Sequence, residues 1–407
     1  MRILIITPVF PLPLDTGTRV RLYNLAREFK ALGHCIGLLS FADGSSLPHL
    51  KEMQKICEHI EIISIGDARQ GKRTFKEIVH RLFLVAGAII KGMPPRFAQV
   101  KHPGMMSKAS RLVPEYDLVF IEFFFMAQNI HKTLIQRFAE KFVLVEHDIS
   151  FIPARRQWKH ASGLLRMIAW VSYQGIKYSE MRVLRRFRTV AAMSIADQNY
   201  LAGRLSQTRV LLFPNGVDTE TIQPQKERRN PNTLRTDLLY IGGLAHFPNY
   251  DAVAFFLQSM LPEIQTHFSN VRLVVIGNTA GRSQKLERMA SGSVVFTGFV
   301  PHIEDYYANC LAVVVPLRIA GGTRLKVLEA MAAGVPVVST AVGVEGLDVE
   351  AELHYLKAED AAEMAAAIGQ IRNDTNVVDT LIAAAREVCE QKYAWKIIAK
   401  NILTEIQ

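Results

Sequence analysis

The chain has little cysteine, four in 407 residues, and what it has is scattered. Cys35, Cys57, Cys310 and Cys389 show no paired spacing, which excludes a zinc knuckle or a CxxC redox pair. Isolated thiols of this kind fit a reducing compartment and burial in the core. Clustered Asp, His and Cys of the sort that ligate a catalytic metal are absent too, so no metal site is expected. No apolar run approaches the roughly 20 residues that span a bilayer, and there is no low-complexity run. The opening MRILIITPVFPLPL has one early arginine, three prolines and no small-residue cleavage site. It is expected to form a first strand and loop, not a signal peptide. These absences point to a cytoplasmic protein.

What is present is a globular composition, 49% hydrophobic and 21% charged, over a length that suits two domains of roughly 200 residues each. The formal net charge is +10, unevenly spread. Between Arg69 and Arg111 lie eight further Lys and Arg residues against Glu77 alone, around the apolar run Leu82 to Ile90. A second zone, 155–188, holds nine cations interleaved with Trp158, Leu164, Leu165, Met167, Trp170 and Tyr173. Cations beside apolar and aromatic groups suit an anionic membrane surface. No nucleic-acid-binding module is visible, so nucleic acid is not expected as a partner. The plain alternative is a core helix whose wet face carries the charge.

The segment Val313 to Leu347, VVVPLRIAGGTRLKVLEAMAAGVPVVSTAVGVEGL, organises the rest. It reads as an apolar strand, a tight loop, a short helix and a second apolar strand. Gly321 and Gly322 allow a sharp turn with uncovered N–H groups, and Thr323 is expected to cap the helix. Leu325, Leu328 and Ala332 recur at helical spacing, and Gly334 with Pro336 ends the helix. Arg324 and Lys326 then fall in the first turn, where cations oppose the helix dipole. A local choice that costs stability in a consistent segment marks function. Two cations, two glycine amides and a helix N-terminus make an anion site, most simply for a diphosphate. Glu329 follows Lys326 by three positions on the same face, where a carboxylate could accept from ribose hydroxyls. A solvated Lys–Glu pair is the competing reading.

Apolar runs at Ile3–Thr7, Cys35–Phe41, Ile60–Ile65, Leu118–Ile121 and Phe142–Glu146 alternate with helical patterns, giving an α/β fold with parallel sheets. A loop with Gly17 follows the first strand, and Arg19 opens the helix after it. His147 and Asp148 come at the carboxyl end of a strand, the edge where such sheets bind ligands. Ser194 is expected to cap a helix. Pro214-Asn215-Gly216 is a turn, and the domain boundary is expected between Arg204 and Leu211. The second half opens on a strand ending in Gly242-Gly243, followed by a helix led by Asn249.

These motifs resemble the retaining glycosyltransferases of family 4, glycosyl transferases group 1, of the polysaccharide-biosynthesis type. The family carries two glutamates eight positions apart, the second in a Leu-Glu-Ala-Met-Ala helix followed by Gly-x-Pro-Val-Val, which Glu329 matches. It also carries the strings Pro-Asn-Gly-Val-Asp, matched at 214–218, and Val-x-Phe-x-Gly, matched at Val294 to Gly298. The resemblance implies a GT-B architecture, two Rossmann-like doubly wound parallel-sheet domains facing across a cleft. These would be 1–205 on the acceptor side and 206–390 for the donor, with 391–407 a last helix crossing back. It implies transfer of a sugar, with retention and without a metal, from a nucleotide-diphosphate-sugar to a lipid-linked or saccharide acceptor. No cofactor is expected beyond that donor substrate.

By the same resemblance Glu329 holds the ribose, His147 lies beside the transferred sugar, and backbone at Gly298 flanks the base. Gly17, and more loosely Arg19, approach the donor phosphates and acceptor, as does the Gly242–Gly243 loop. The chain departs from the pattern at Gly321, where the first glutamate would stand, and at Gly243 and Asn249, where many members have an arginine and a lysine. Arg324 and Lys326 could supply the missing charge from the other loop. Two further readings share the fold: a nucleotide-sugar epimerase and a non-catalytic nucleotide-sugar-binding scaffold. A lipid-linked acceptor would place the protein at the inner face of the cell membrane.

Overall fold

A computed structural model describes residues 1–64, 100–224, 235–289, 292–319 and 324–406. The chain divides into two compact units, Met1–Pro214 with Ala399–Gln407, and Asn215–Ile398. The strand β7 described below pairs within the first sheet, so the first unit runs past residue 205 to the Pro-Asn-Gly turn. The last residues of the helix Trp395–Ile406 belong with the first unit.

The first unit is built on seven strands. They are β1 (Arg2–Thr7), β2 (Cys35–Ala42), β3 (His59–Ser64), β4 (Leu118–Glu122), β5 (Phe142–Glu146), β6 (Thr189–Ala192) and β7 (Arg209–Leu212). Their spatial order is β3-β2-β1-β4-β5-β6-β7, with every pairing parallel. A parallel sheet needs crossovers, which cover both faces with helices. That is why β1 reads as RILIIT, buried from Ile3 onward, instead of alternating apolar and polar.

The second unit has six strands: β8 (Asp237–Ile241), β9 (Arg272–Ile276), β10 (Val294–Gly298), β11 (Ala312–Val315), β12 (Val337–Ser339) and β13 (Leu356–Lys357). The order is β10-β9-β8-β11-β12-β13, again all parallel. Its core is made by β11, fully buried, against Val327, Leu328, Ala330 and Met331 of the helix Leu325–Ala332. Truncating Leu328 to alanine there should cost about 2–5 kcal/mol.

Both sheets therefore reverse strand order at one point, between β1 and β4 in the first and between β8 and β11 in the second. Crossovers leave such neighbours towards opposite faces, so a crevice opens at their carboxyl ends. Three cysteines, Cys57, Cys310 and Cys389, are buried and Cys35 is half-buried; burial pushes the Cys57 and Cys389 thiols up to about 12.

Candidate functional site

At the second sheet's switch point the structure brings Gly242, Gly243, Asn249 and Lys326 together. Lys326 lies in the first turn of the helix Leu325–Ala332, and its Nζ donates to Asn249 Oδ1 at 3.1 Å and Tyr240 Oη at 3.2 Å. The ammonium also sits 4.3 Å from the centre of the Tyr240 ring. Tyr240 Oη donates to the same Asn249 oxygen at 2.8 Å, and Asn249 Nδ2 donates to the Gly243 carbonyl at 3.0 Å. Two of the three ammonium donors are thus occupied, and the third has no partner among the described residues.

The glycines are a steric requirement. Gly242 has φ +156°, and a Cβ there would lie 2.8 Å from Asn249 Cγ and 2.9 Å from Lys326 Nζ. Gly277, at the end of β9, has φ +134°, and its Cβ would meet the Gly242 carbonyl carbon at 2.7 Å. Gly242 N donates to the Ile276 carbonyl at 2.8 Å, and Gly277 N to the Gly298 carbonyl at 2.9 Å. Gly298, which ends β10 at φ +74°, thus reaches the cluster through Gly277. Nothing in the sequence patterns singled out Gly277, because its role is a backbone contact with another strand end.

Burial draws Lys326 down to about 7, and the Arg324 guanidinium pushes the same way against the opposing pull of Glu329. Burial raises the Glu329 carboxyl, opposed by Lys326. Glu329 is half-buried, and its carboxylate also acts electrostatically on the buried Tyr307 hydroxyl.

One expectation is corrected. Arg324, not Thr323, occupies the cap position, and the helix starts at Leu325, Arg324 having φ −95° and ψ 82°. The Arg324 side chain is 5% exposed, and its guanidinium acts electrostatically on both Lys326 and Tyr240. Its Nη2 donates to the Val342 carbonyl at 3.1 Å and lies 3.6 Å from Glu345 Oε2. Gly321, Gly322 and Thr323 themselves fall outside the described residues.

In the first unit, Gly17 opens the helix Gly17–Ala31, and Arg19 is committed to Asp15 at 3.0 Å. His147 follows β5 directly, and its Nε2 lies 2.5 Å from Glu122 Oε2 at the end of β4. A carboxylate only accepts, so Nε2 carries a proton, and in the neutral ring Nδ1 is left as an acceptor. The imidazole stacks on Phe123 with centroids 3.9 Å apart and planes 13° apart. Phe123 has φ +72°, a costly backbone for a bulky residue, and strain of this kind collects at functional sites.

Behind Glu122 lies Arg21, 1% exposed, whose Nη1 donates to the Pro214 carbonyl at 2.7 Å. Burial lowers it to about 10 while Glu122 holds it up. Sequence reading found His147 but missed Glu122 and Arg21. An ionisable residue closing an otherwise apolar strand, as in LVFIE, was the available signal.

Beside this group two more carboxylates are buried. Glu180 accepts from Ser150 N at 2.9 Å and Phe151 N at 3.2 Å, and Glu146 ends β5. Burial first raises both well above the usual carboxylate range; repulsion from Asp148 and Asp197 adds to each, and Glu180 adds to Glu146. Among the described residues no group of three or more His, Cys, Asp or Glu is arranged to hold a metal ion.

This architecture, paired Rossmann-like parallel sheets, is the GT-B fold. Residues 235–374 match the family model for glycosyl transferases group 1. No curated protein matches the chain. Among solved structures, a sucrose-phosphate synthase from Thermosynechococcus elongatus is similar at TM-score 0.70 and 18% identity, covering 99% of this chain and 98% of that one. Anabaena HepE in complex with UDP is similar at 0.66 and 18%, covering 100% and 99%. Staphylococcus aureus TarM is similar at 0.67 and 10%, covering 100% and 99%. The domain match and the fold together support a GT-B glycosyltransferase.

Proposed function

We propose that the protein transfers a sugar from a nucleotide-diphosphate-sugar, bound at the second unit's switch point, to a saccharide or lipid-linked acceptor. The observation that carries this is the placement of Lys326. Its ammonium fills the space beside Asn249, the position at which the related sequences have a lysine, so charge lost from one loop returns from another. Structures similar in fold are described with UDP, with UDP-glucose, and with fondaparinux and UDP, which supports a nucleotide-sugar donor and a saccharide acceptor.

In this reading the diphosphate takes the free donor of Lys326 and the N–H groups of the Gly242–Gly243 loop and the helix N-terminus. Fixed positive groups meet the charge that grows on the diphosphate as it leaves. Glu329 accepts from the ribose hydroxyls. Because that leaving group is stabilised by the chain, no metal is required. His147, held by Glu122 and Phe123, contacts a hydroxyl of the transferred sugar. A donor phosphate oxygen takes the acceptor proton on the face the leaving group vacates, which gives retention, and no side chain acts as nucleophile.

The test is thermal stabilisation by a panel of nucleoside diphosphates and nucleotide-sugars, with and without Mg²⁺. A ligand that binds only the folded state raises the melting temperature. One nucleotide should shift it without metal, and the shift should vanish in Lys326→Gln and shrink in Glu329→Gln. No shift with any nucleotide would overturn the reading. Binding with neither transfer nor hydrolysis would replace it with the scaffold.

A further inference from the structure

The helices Phe151–His160 and Gly163–Leu184 form a hairpin whose second arm opens without cover among the described residues. Leu164 and Leu165 are each 69% exposed, and Met167, Ile168, Trp170 and Val171 are exposed as well. On a helix of 3.6 residues per turn, Leu164, Leu165, Met167, Ile168 and Val171 occupy one arc of roughly 160°. Tyr173, stacked on Trp158 of the first arm at 5.8 Å, projects from the opposite side. The apolar arc therefore faces away from the hairpin partner.

Soluble domains do not leave several large apolar side chains contiguous and wet without use. The charge around them is one-sided. Between Phe151 and Leu184 there are six cations and one carboxylate, Glu180, and that carboxylate is buried. Arg155, Lys159, Arg166 and Arg182 are exposed. Among the described residues no helix is long and apolar enough to cross a membrane, so this helix would lie on one.

We propose that the tip of this hairpin docks on an anionic lipid surface, with Leu164, Leu165, Ile168 and Val171 entering the acyl boundary. The exposed cations meet the headgroups. A cationic rim around an apolar arc is the complement of an anionic bilayer interface, where both contributions add. The other basic stretch, 69–111, lies largely outside the described residues and is not needed for this surface. The proposal is also independent of the glycosyl-transfer reading, since none of these residues belongs to the donor site.

The experiment is flotation of the full chain with vesicles of phosphatidylcholine alone, or with about one third phosphatidylglycerol. Trp170, exposed at the flank of the arc, reports contact with the interface by a blue shift, Trp395 being buried and Trp158 stacked. The parent should float with anionic vesicles and not with neutral ones. Leu165→Gln with Ile168→Gln should weaken flotation at least tenfold and abolish the blue shift. Arg155→Gln, Lys159→Gln and Arg166→Gln together should weaken it on the order of a hundredfold. Both variants should keep the parental melting temperature and nucleotide response, since the altered residues are exposed. Parental flotation by the Leu165/Ile168 variant would overturn the proposal, as would a parent that ignores anionic vesicles. A lipid-free dimer abolished by that variant would also overturn it, making a second copy the occupant.

Discussion

The two sheets share one strand order up to the last strand and put opposite chemistry at the same topological point. The second unit's edge gathers a cation: Lys326 is held by Asn249 and Tyr240 where two glycines bring strand-end loops together. The first unit's edge gathers carboxylates: Glu122 closes β4, Glu146 closes β5, and Glu180 reaches in from a helix. Topology decides where a crevice forms, and the few residues ending the strands decide what it can hold. One edge presents a buried ammonium, the other a histidine held against a carboxylate.

The largest effect should come from Gly277→Ala. Its Cβ would strike the Gly242 backbone at 2.7 Å, in a conformation with positive φ. A loss of about 3 kcal/mol or more in chemical denaturation is expected. Gly242→Ala, also at positive φ, meets first the Asn249 amide and the Lys326 ammonium, which can give more than backbone, so it should displace the ammonium and impair nucleotide binding with a smaller stability loss.

Lys326→Gln should lower nucleoside-diphosphate affinity on the order of a hundredfold, measured by calorimetry, through loss of a charge-assisted hydrogen bond. Glu122→Gln sharpens the contrast from the other unit. It should leave nucleotide affinity unchanged and lower turnover about tenfold, because the groups it loosens, His147 and Arg21, both belong to the first unit. An equal loss of nucleotide affinity in both variants would break the division of roles.

Smaller effects appear in the pH dependence, and their signs are opposite. Lys326 is depressed to about 7, so the folded chain holds fewer protons than the unfolded one above that pH. Its contribution to stability is therefore present above the ordinary lysine range and lost as pH falls through about 7. Glu146 and Glu180 are raised, so their contribution is present below the ordinary carboxylate range and lost as pH rises. Glu146→Gln should flatten that loss in melting temperature measured against pH. Nucleotide affinity should fall about tenfold per pH unit above about 7, until the liganded Lys326 itself titrates, and Lys326→Gln should remove this slope.

Local features were open to sequence reading. Strands buried on both faces appear as unbroken apolar runs, and Ser194 accepts from Asp197 N as a cap residue in its position should. The helix carrying Lys326 and Glu329 was visible from the helical spacing of Leu325, Leu328 and Ala332 and the stop at Gly334. The capping residue was misjudged by one position, because the φ and ψ of Arg324 are set by where its side chain is buried against Val342 and Glu345.

The sequence by itself determined the parallel α/β layout, the strand–helix–strand order of the 313–347 segment and the mixing of cations with apolar groups at 155–188. These follow from periodicity, dipoles and composition, which act over a few neighbouring residues. Only the tertiary structure decided that Lys326 meets Asn249, that Glu122 meets His147, and that the hairpin's apolar arc is exposed. Each depends on residues far apart in the chain, Lys326 and Asn249 by 77 positions and His147 and Glu122 by 25. Packing sets such distances, and no local pattern encodes which strand ends will meet.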